Sequence, residues 1–191
     1  MKAHKWLVFA TALGIMACNN EASDSVEKAD SANEAKLDSP SASQSIGADE
    51  ESASFLVKAA NMGMAEVNLG KLAGEKARNQ KVKDFGAMMV SDHTNANNEV
   101  KSLASQRNIS LPDSVSDEKR KDKEDLAKKS GANFDKAFME AMVDDHNETI
   151  DLFEKASNNV KDNTVKAFID NTLPKLRNHL DSAKAIQKGL K

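Results

Sequence analysis

The chain has 191 residues, enough for one ordinary domain with a sizeable core, and its 27 basic and 30 acidic side chains leave a formal net charge of −3. Charge this evenly mixed, with aromatics at only 4%, argues against a nucleic-acid surface, which needs a concentrated basic face with stacking partners. A single cysteine excludes an intramolecular disulfide.

The N-terminus sets the expected compartment. Met1-Lys-Ala-His-Lys5 is basic, Trp6 through Met16 is an unbroken run of apolar or small residues, and Cys18 follows shortly after. Such a run falls short of the roughly 20 apolar residues that span a bilayer, so residues 1–17 are predicted to be a secretory signal. The stretch from Leu13 to Cys18 resembles a lipobox, which makes Cys18 the expected first mature residue and the point of lipidation. The expected location is the cell envelope, with a membrane, most naturally the outer one, as partner through that anchor. Residues 18–50 are rich in Ser, Ala, Asp, Glu and Asn and poor in large apolar residues. They cannot bury enough surface to offset ordering entropy, so a solvated tether is expected.

Residues 51–191 have apolar positions recurring at three and four rather than at two, the signature of an all-α domain. The first long helix is predicted from about Glu51 to Ala77, with the seam Phe55, Ala59, Met62, Glu66, Leu69 and Ala73. A short turn at Asn79 leads to a second, antiparallel helix whose inner face carries Val82, Phe85, Met89, His93, Ala96, Val100 and Leu103. A crossover follows from Asn108 to about Ala132, with a short charged helix near Asp117–Lys129 and a helix stop at Ser130-Gly131. The run from Glu118 to Asp125 mixes both signs and reads as a solvated helix surface. The third long helix, about Asn133 to Ser157, presents Phe138, Met142, His146, Thr149 and Phe153. A fourth, with a possible N-cap at Asp162, shows the heptad Val165, Ile169, Thr172, Leu176, His179, Ala183, Ile186 and Leu190, within which Pro174 should bend or loosen the helix.

One phrase is written twice. Phe85, Met89 and His93 return fifty-three positions later as Phe138, Met142 and His146, each set on one helix face. Every long helix thus carries one ionisable side chain in its core stripe: Glu66, His93, His146 or His179. Counting residues from the turns puts the four at similar heights, within about one helical turn. Each alone reads as a hydrogen-bonded core residue. Together, a buried carboxylate and three imidazoles are best accounted for by one divalent cation, zinc, iron or copper. Asp92 and Asp145 each precede a histidine and point about 100° away, as supporting or solvated acids rather than direct ligands. Met89 and Met142 lie on the histidine faces, where thioethers would suit copper(I), although methionine on such a stripe is more often core filler.

The segments Phe55-Leu-Val-Lys-Ala-Ala60, Gly63-Met-Ala-Glu66-Val-Asn-Leu-Gly70, Met89-Val-Ser-Asp92-His93-Thr94, Met142-Val-Asp-Asp-His146 and Leu173-Pro-Lys-Leu-Arg-Asn-His179-Leu180 resemble the exported bacterial family known as domain of unknown function 4142. The resemblance implies a ferritin-like four-helix bundle, an envelope location and no settled activity, with Glu66, His93, His146 and His179 on the family's polar motif positions. Ferritin-like di-iron sites use Glu-x-x-His on two helices, whereas Val90, Val143 and Leu176 stand three residues before these histidines. A single His-rich metal site fits better than a di-iron oxidase, and no nucleophile, phosphate loop or acid pair suggests an enzyme. The sequence therefore favours a metal-binding envelope lipoprotein; the alternative is a non-catalytic helical interaction module whose core polar groups only fix packing.

Overall fold

The computed structural model describes residues 24–38 and 49–190, so the signal segment and Cys18 lie outside the described residues. Six helices, and no strands among the described residues, form an all-α, ferritin-like four-helix bundle with two accessory helices. The order is α1 (Ser25–Leu37), α2 (Glu50–Lys76), α3 (Gln80–Gln106), α4 (Asp117–Ala127), α5 (Gly131–Asn159) and α6 (Asn163–Gly189). No described helix is long and apolar enough to cross a membrane.

Polar side chains start every helix but α5 by accepting otherwise unpaired backbone N–H groups. Asp49 accepts from Ser52, Asn79 from Lys81, Ser116 from Lys119, and Asp162 from both Thr164 and Val165. Two tertiary contacts fix the topology. At one end Asp135, near the start of α5, accepts from the backbone N–H groups of Arg78 and Asn79 in the α2–α3 turn. At the other end Arg107, just past α3, forms two 2.7 Å bonds with Asp162 at the head of α6. The start of α5 therefore lies beside the start of α3, and the 107–130 crossover travels the length of the bundle. Helices α3 and α5 run one way, α2 and α6 the other.

Packing divides the interior into two apolar clusters. Phe55, Leu56, Phe153, Phe168 and Ile169 fill one end, while Phe85, Met89, Phe134, Phe138 and Met142 fill the other. Between them lie the buried polar side chains of Glu66, His93, His146 and His179. Close approach of α2 to α3 depends on glycine: a Cβ on Gly70 would stand 2.6 Å from the Gly86 carbonyl oxygen.

Two expectations need correction. Within the segment read as a tether, residues 25–37 are helical: Asn33 exchanges bonds of 2.9 and 2.7 Å with the Ser110 backbone, and Lys36 Nζ donates to the Asn108 carbonyl. Composition missed this because the docking is polar and its partners are more than seventy residues away. Ser130-Gly131 begins α5 rather than ending α4; Gly131 takes a φ of 58°, open to a residue without Cβ. Pro174, expected to bend or loosen the helix, lies inside α6, which runs on through it to Gly189.

Candidate metal centre

Four neighbouring helices deliver the polar layer, one side chain each. The rings of His93, His146 and His179 form a near-equilateral triangle, with centroids 5.5 to 5.7 Å apart. One ring nitrogen from each lies within 4.8 Å of the others, close enough for a single ion to be shared after small side-chain rotations.

Hydrogen bonds decide which nitrogens are free. His146 Nδ1 lies 2.8 Å from the Met142 carbonyl, which can only accept, so this nitrogen carries the proton and Nε2 keeps its lone pair. His179 Nε2 lies 3.0 Å from an Asp92 carboxylate oxygen, so it donates there and leaves Nδ1 as the acceptor. His146 Nε2, His179 Nδ1 and His93 Nε2 are each buried with no hydrogen-bond partner, as are both carboxylate oxygens of Glu66. Orphaned buried polar atoms are uncommon in folded proteins, and five in one layer fit a bound ion better than a dry core.

Electrostatics favours the neutral, metal-binding form of two of the imidazoles, His93 and His146. Burial, then the neighbouring His146 and His179, lower His93 to about 3. Burial and His179 lower His146 to about 4, against the opposing pull of the Met142 carbonyl. Glu66, only 3% exposed, is pushed well above the usual carboxylate range by burial, with Asp145 adding to the rise and Lys119 opposing it. A divalent cation would reverse that preference and draw the proton off Glu66.

The candidate residues are not all brought together in the same way. The three histidines converge. Glu66 sits beside them, with Oε1 3.5 Å from His146 Nδ1, the nitrogen already committed to Met142. It is therefore adjacent to the histidine cluster rather than part of it. Asp92, with its side chain 42% exposed, orients His179 as a supporting acid should. Asp145 touches no histidine and instead pairs with Lys119 at 2.8 Å, because its position one residue before His146 turns it toward α4. Met89 and Met142 are part of the apolar cluster at one end of the layer.

Lys119 is the residue the sequence concealed. Its side chain is 11% exposed, on a helix whose mixed charges read as a solvated surface, and it bonds both Asp145 and Glu148. Burial works against its charge, but those two hydrogen bonds raise its proton affinity overall. No spacing rule signals a partner twenty-six positions away across a crossover.

The architecture is similar to that of two solved structures. CopM in the Ag-bound form, obtained by co-crystallization, aligns with a TM-score of 0.61 at 15% identity, covering 72% of this chain and 96% of that one. CopM in the Cu(II)-bound form aligns at 0.60 and 14%, covering 73% and 97%. At such identities the likeness establishes the fold. No curated protein matches the chain. A family model matches residues 36–186, most of the domain and all four residues of the polar layer, and the chain belongs to that family, described as Domain of unknown function (DUF4142).

Proposed function

We propose that the protein is a lipid-anchored envelope protein whose bundle binds one transition-metal ion through His93, His146 and His179, with Glu66 as the adjoining carboxylate, for storage, sensing or protection. The observation that carries this reading is a cluster in which His93, His146 and His179 each bring one ring nitrogen within 4.8 Å of the others, and in which each also has a buried nitrogen without a partner, beside an equally unpartnered carboxylate. Neutral imidazoles and a nearby carboxylate suit zinc, iron or copper. The fold is compatible with metal binding, since the CopM structures were obtained with silver and copper(II). Anchoring at Cys18 rests on the sequence pattern alone; fatty-acid labelling lost in Cys18→Ala supports it, and equal absence of label in both proteins refutes it.

The deciding experiment is elemental analysis of protein purified without a histidine tag, followed by titration with zinc, iron(II) and copper salts. Close to one equivalent is expected, lost in His93→Ala and in His146→Ala. A second reading has its own observation: His146 and His179 each already donate one ordinary hydrogen bond, as structural core histidines do. If the protein takes up no metal and the double variant His93→Leu/His146→Leu is more stable, the polar layer is a packing device of an interaction module.

A further inference from the structure

If the three imidazoles hold a cation, as proposed above, that ion has to cross the wall of the bundle, since all three rings are buried. The two ends of the layer are closed by apolar clusters, where a travelling ion would meet no donor. A lateral path is different. Outermost lies a groove of about 450 Å3 whose walls include Lys58, Met62, Glu118, Lys119, Glu148 and Asp151. Innermost lies a cavity of about 20 Å3 bounded by Met62, Glu66, His93 and Thr149, among others. That is room for roughly one water molecule or a bare ion. Between the two, where Met62, Glu66, Lys119 and Asp145 meet, no free volume remains.

Four side chains link these spaces, Thr149 bordering the inner two. Met62 borders all of them, Lys119 the outer two and Glu66 the inner two. We propose that cations reach the histidines through this groove by way of Glu66, and that Lys119 holds the route shut by keeping its own ammonium between Asp145 and Glu148. The ammonium nitrogen lies 2.8 Å from Asp145 Oδ1 and 3.0 Å from Glu148 Oε2, so it occupies the point where an incoming ion would first meet carboxylates below the groove. The mouth itself is of mixed charge, with Lys58 and Lys155 beside Glu118 and Asp151. The carboxyl step therefore lies at the floor, formed by Asp145 and by Glu66, whose oxygens are unpartnered, with the more exposed Glu148 leading to it from the groove wall. Swinging Lys119 out frees two carboxylates and uncovers the third. Oxygen ligands of this kind can take over a partly dehydrated divalent ion and pass it inward to imidazole.

The test uses the full chain, Zn(II) and Cu(II) salts, and stopped-flow competition with a chromophoric chelator. It measures the rate of uptake, the rate of release and the final stoichiometry. Lys119→Met is expected to speed both uptake and release by about tenfold or more while leaving stoichiometry unchanged, since a fixed like charge is removed from the path. Lys119→Met/Asp145→Asn also removes the acid that Lys119 pairs with and serves if the single variant folds poorly; it too should exchange metal faster than wild type. Lys128→Ala, which breaks an exposed ion pair elsewhere on α4, should exchange at the wild-type rate. Metal uptake at wild-type rates in folded Lys119 variants overturns the gate and leaves the metal site standing. If Asp92→Asn alone accelerates exchange, the ion enters beside His179 and the proposed route is wrong. Failure of wild type and every variant to bind metal at equilibrium overturns both readings, whereas binding by the Lys119 variants alone supports both.

Discussion

The two ends of the bundle and its middle are built from the same four helices, yet they obey opposite energetics. At the ends, Phe55 meets Phe153 edge to face at 4.9 Å and Phe134 stacks on Phe138 at 5.9 Å, so burial itself stabilises. In the middle, Glu66 and three histidines fill the same stripe, and burial costs free energy until something satisfies their five orphaned atoms. The ends hold the fold together; the middle leaves buried polar groups unpaired. A bundle designed for stability alone would carry apolar residues there.

The sharpest way to break this contrast is to empty the ends. Phe138→Ala and Phe153→Ala, one for each cluster, should each cost about 3–5 kcal/mol in urea unfolding, whether or not metal is present. A much smaller loss would mean that the clusters are loosely packed. The middle should respond to metal instead. With free zinc or copper at about a thousand times the dissociation constant, stability should rise by about 4 kcal/mol. Chelation should reverse the gain, and His93→Ala should lack it; a melting curve indifferent to metal and chelator would contradict the contrast.

Acid–base behaviour of the metal-free protein gives the next effect. The depressed His93 and His146, at about 3 and about 4, favour the fold fully above their unfolded value near 6.5, and that contribution is lost as pH falls toward the folded values. The raised Glu66 works the other way: its contribution is full below about 4.5 and is lost as pH rises. Glu66→Gln should therefore stabilise the metal-free protein at neutral pH by about 1–3 kcal/mol and flatten the alkaline side of its stability profile. Equal stability of the two proteins from pH 5 to pH 8 would show that Glu66 is already satisfied.

The smallest effect belongs to the surface. Asp49→Ala removes the N-cap of α2 and should cost about 1 kcal/mol in thermal unfolding, independent of metal. A metal-dependent loss would show that helix ends and polar layer are coupled, blurring the distinction between scaffold and site.

Sequence periodicity carried much of this. Amphipathic stripes separated by short turns are local signals, and they placed the four long helices, the crossover and the Asp162 cap close to where they occur. Even the common height of the four polar residues followed, because a helix rises a fixed 1.5 Å per residue from a known turn. The docking of α1 was not legible, since the helix buries only the small Ala29 among its apolar residues and is fastened by hydrogen bonds to a distant loop rather than by a broad hydrophobic stripe.

By itself, then, the sequence determined the helices, their inward faces and the level at which a carboxylate and three imidazoles interrupt the core. Tertiary structure alone decided what those groups do there. It turned His146 Nδ1 to the Met142 carbonyl and His179 Nε2 to Asp92, leaving particular lone pairs free; it set Glu66 beside the triangle and laid Lys119 across Asp145. The reason is physical: helical phase is fixed by neighbours a few residues away, whereas the rotamer, tautomer and charge of a buried side chain are fixed by whatever distant segment packs against it.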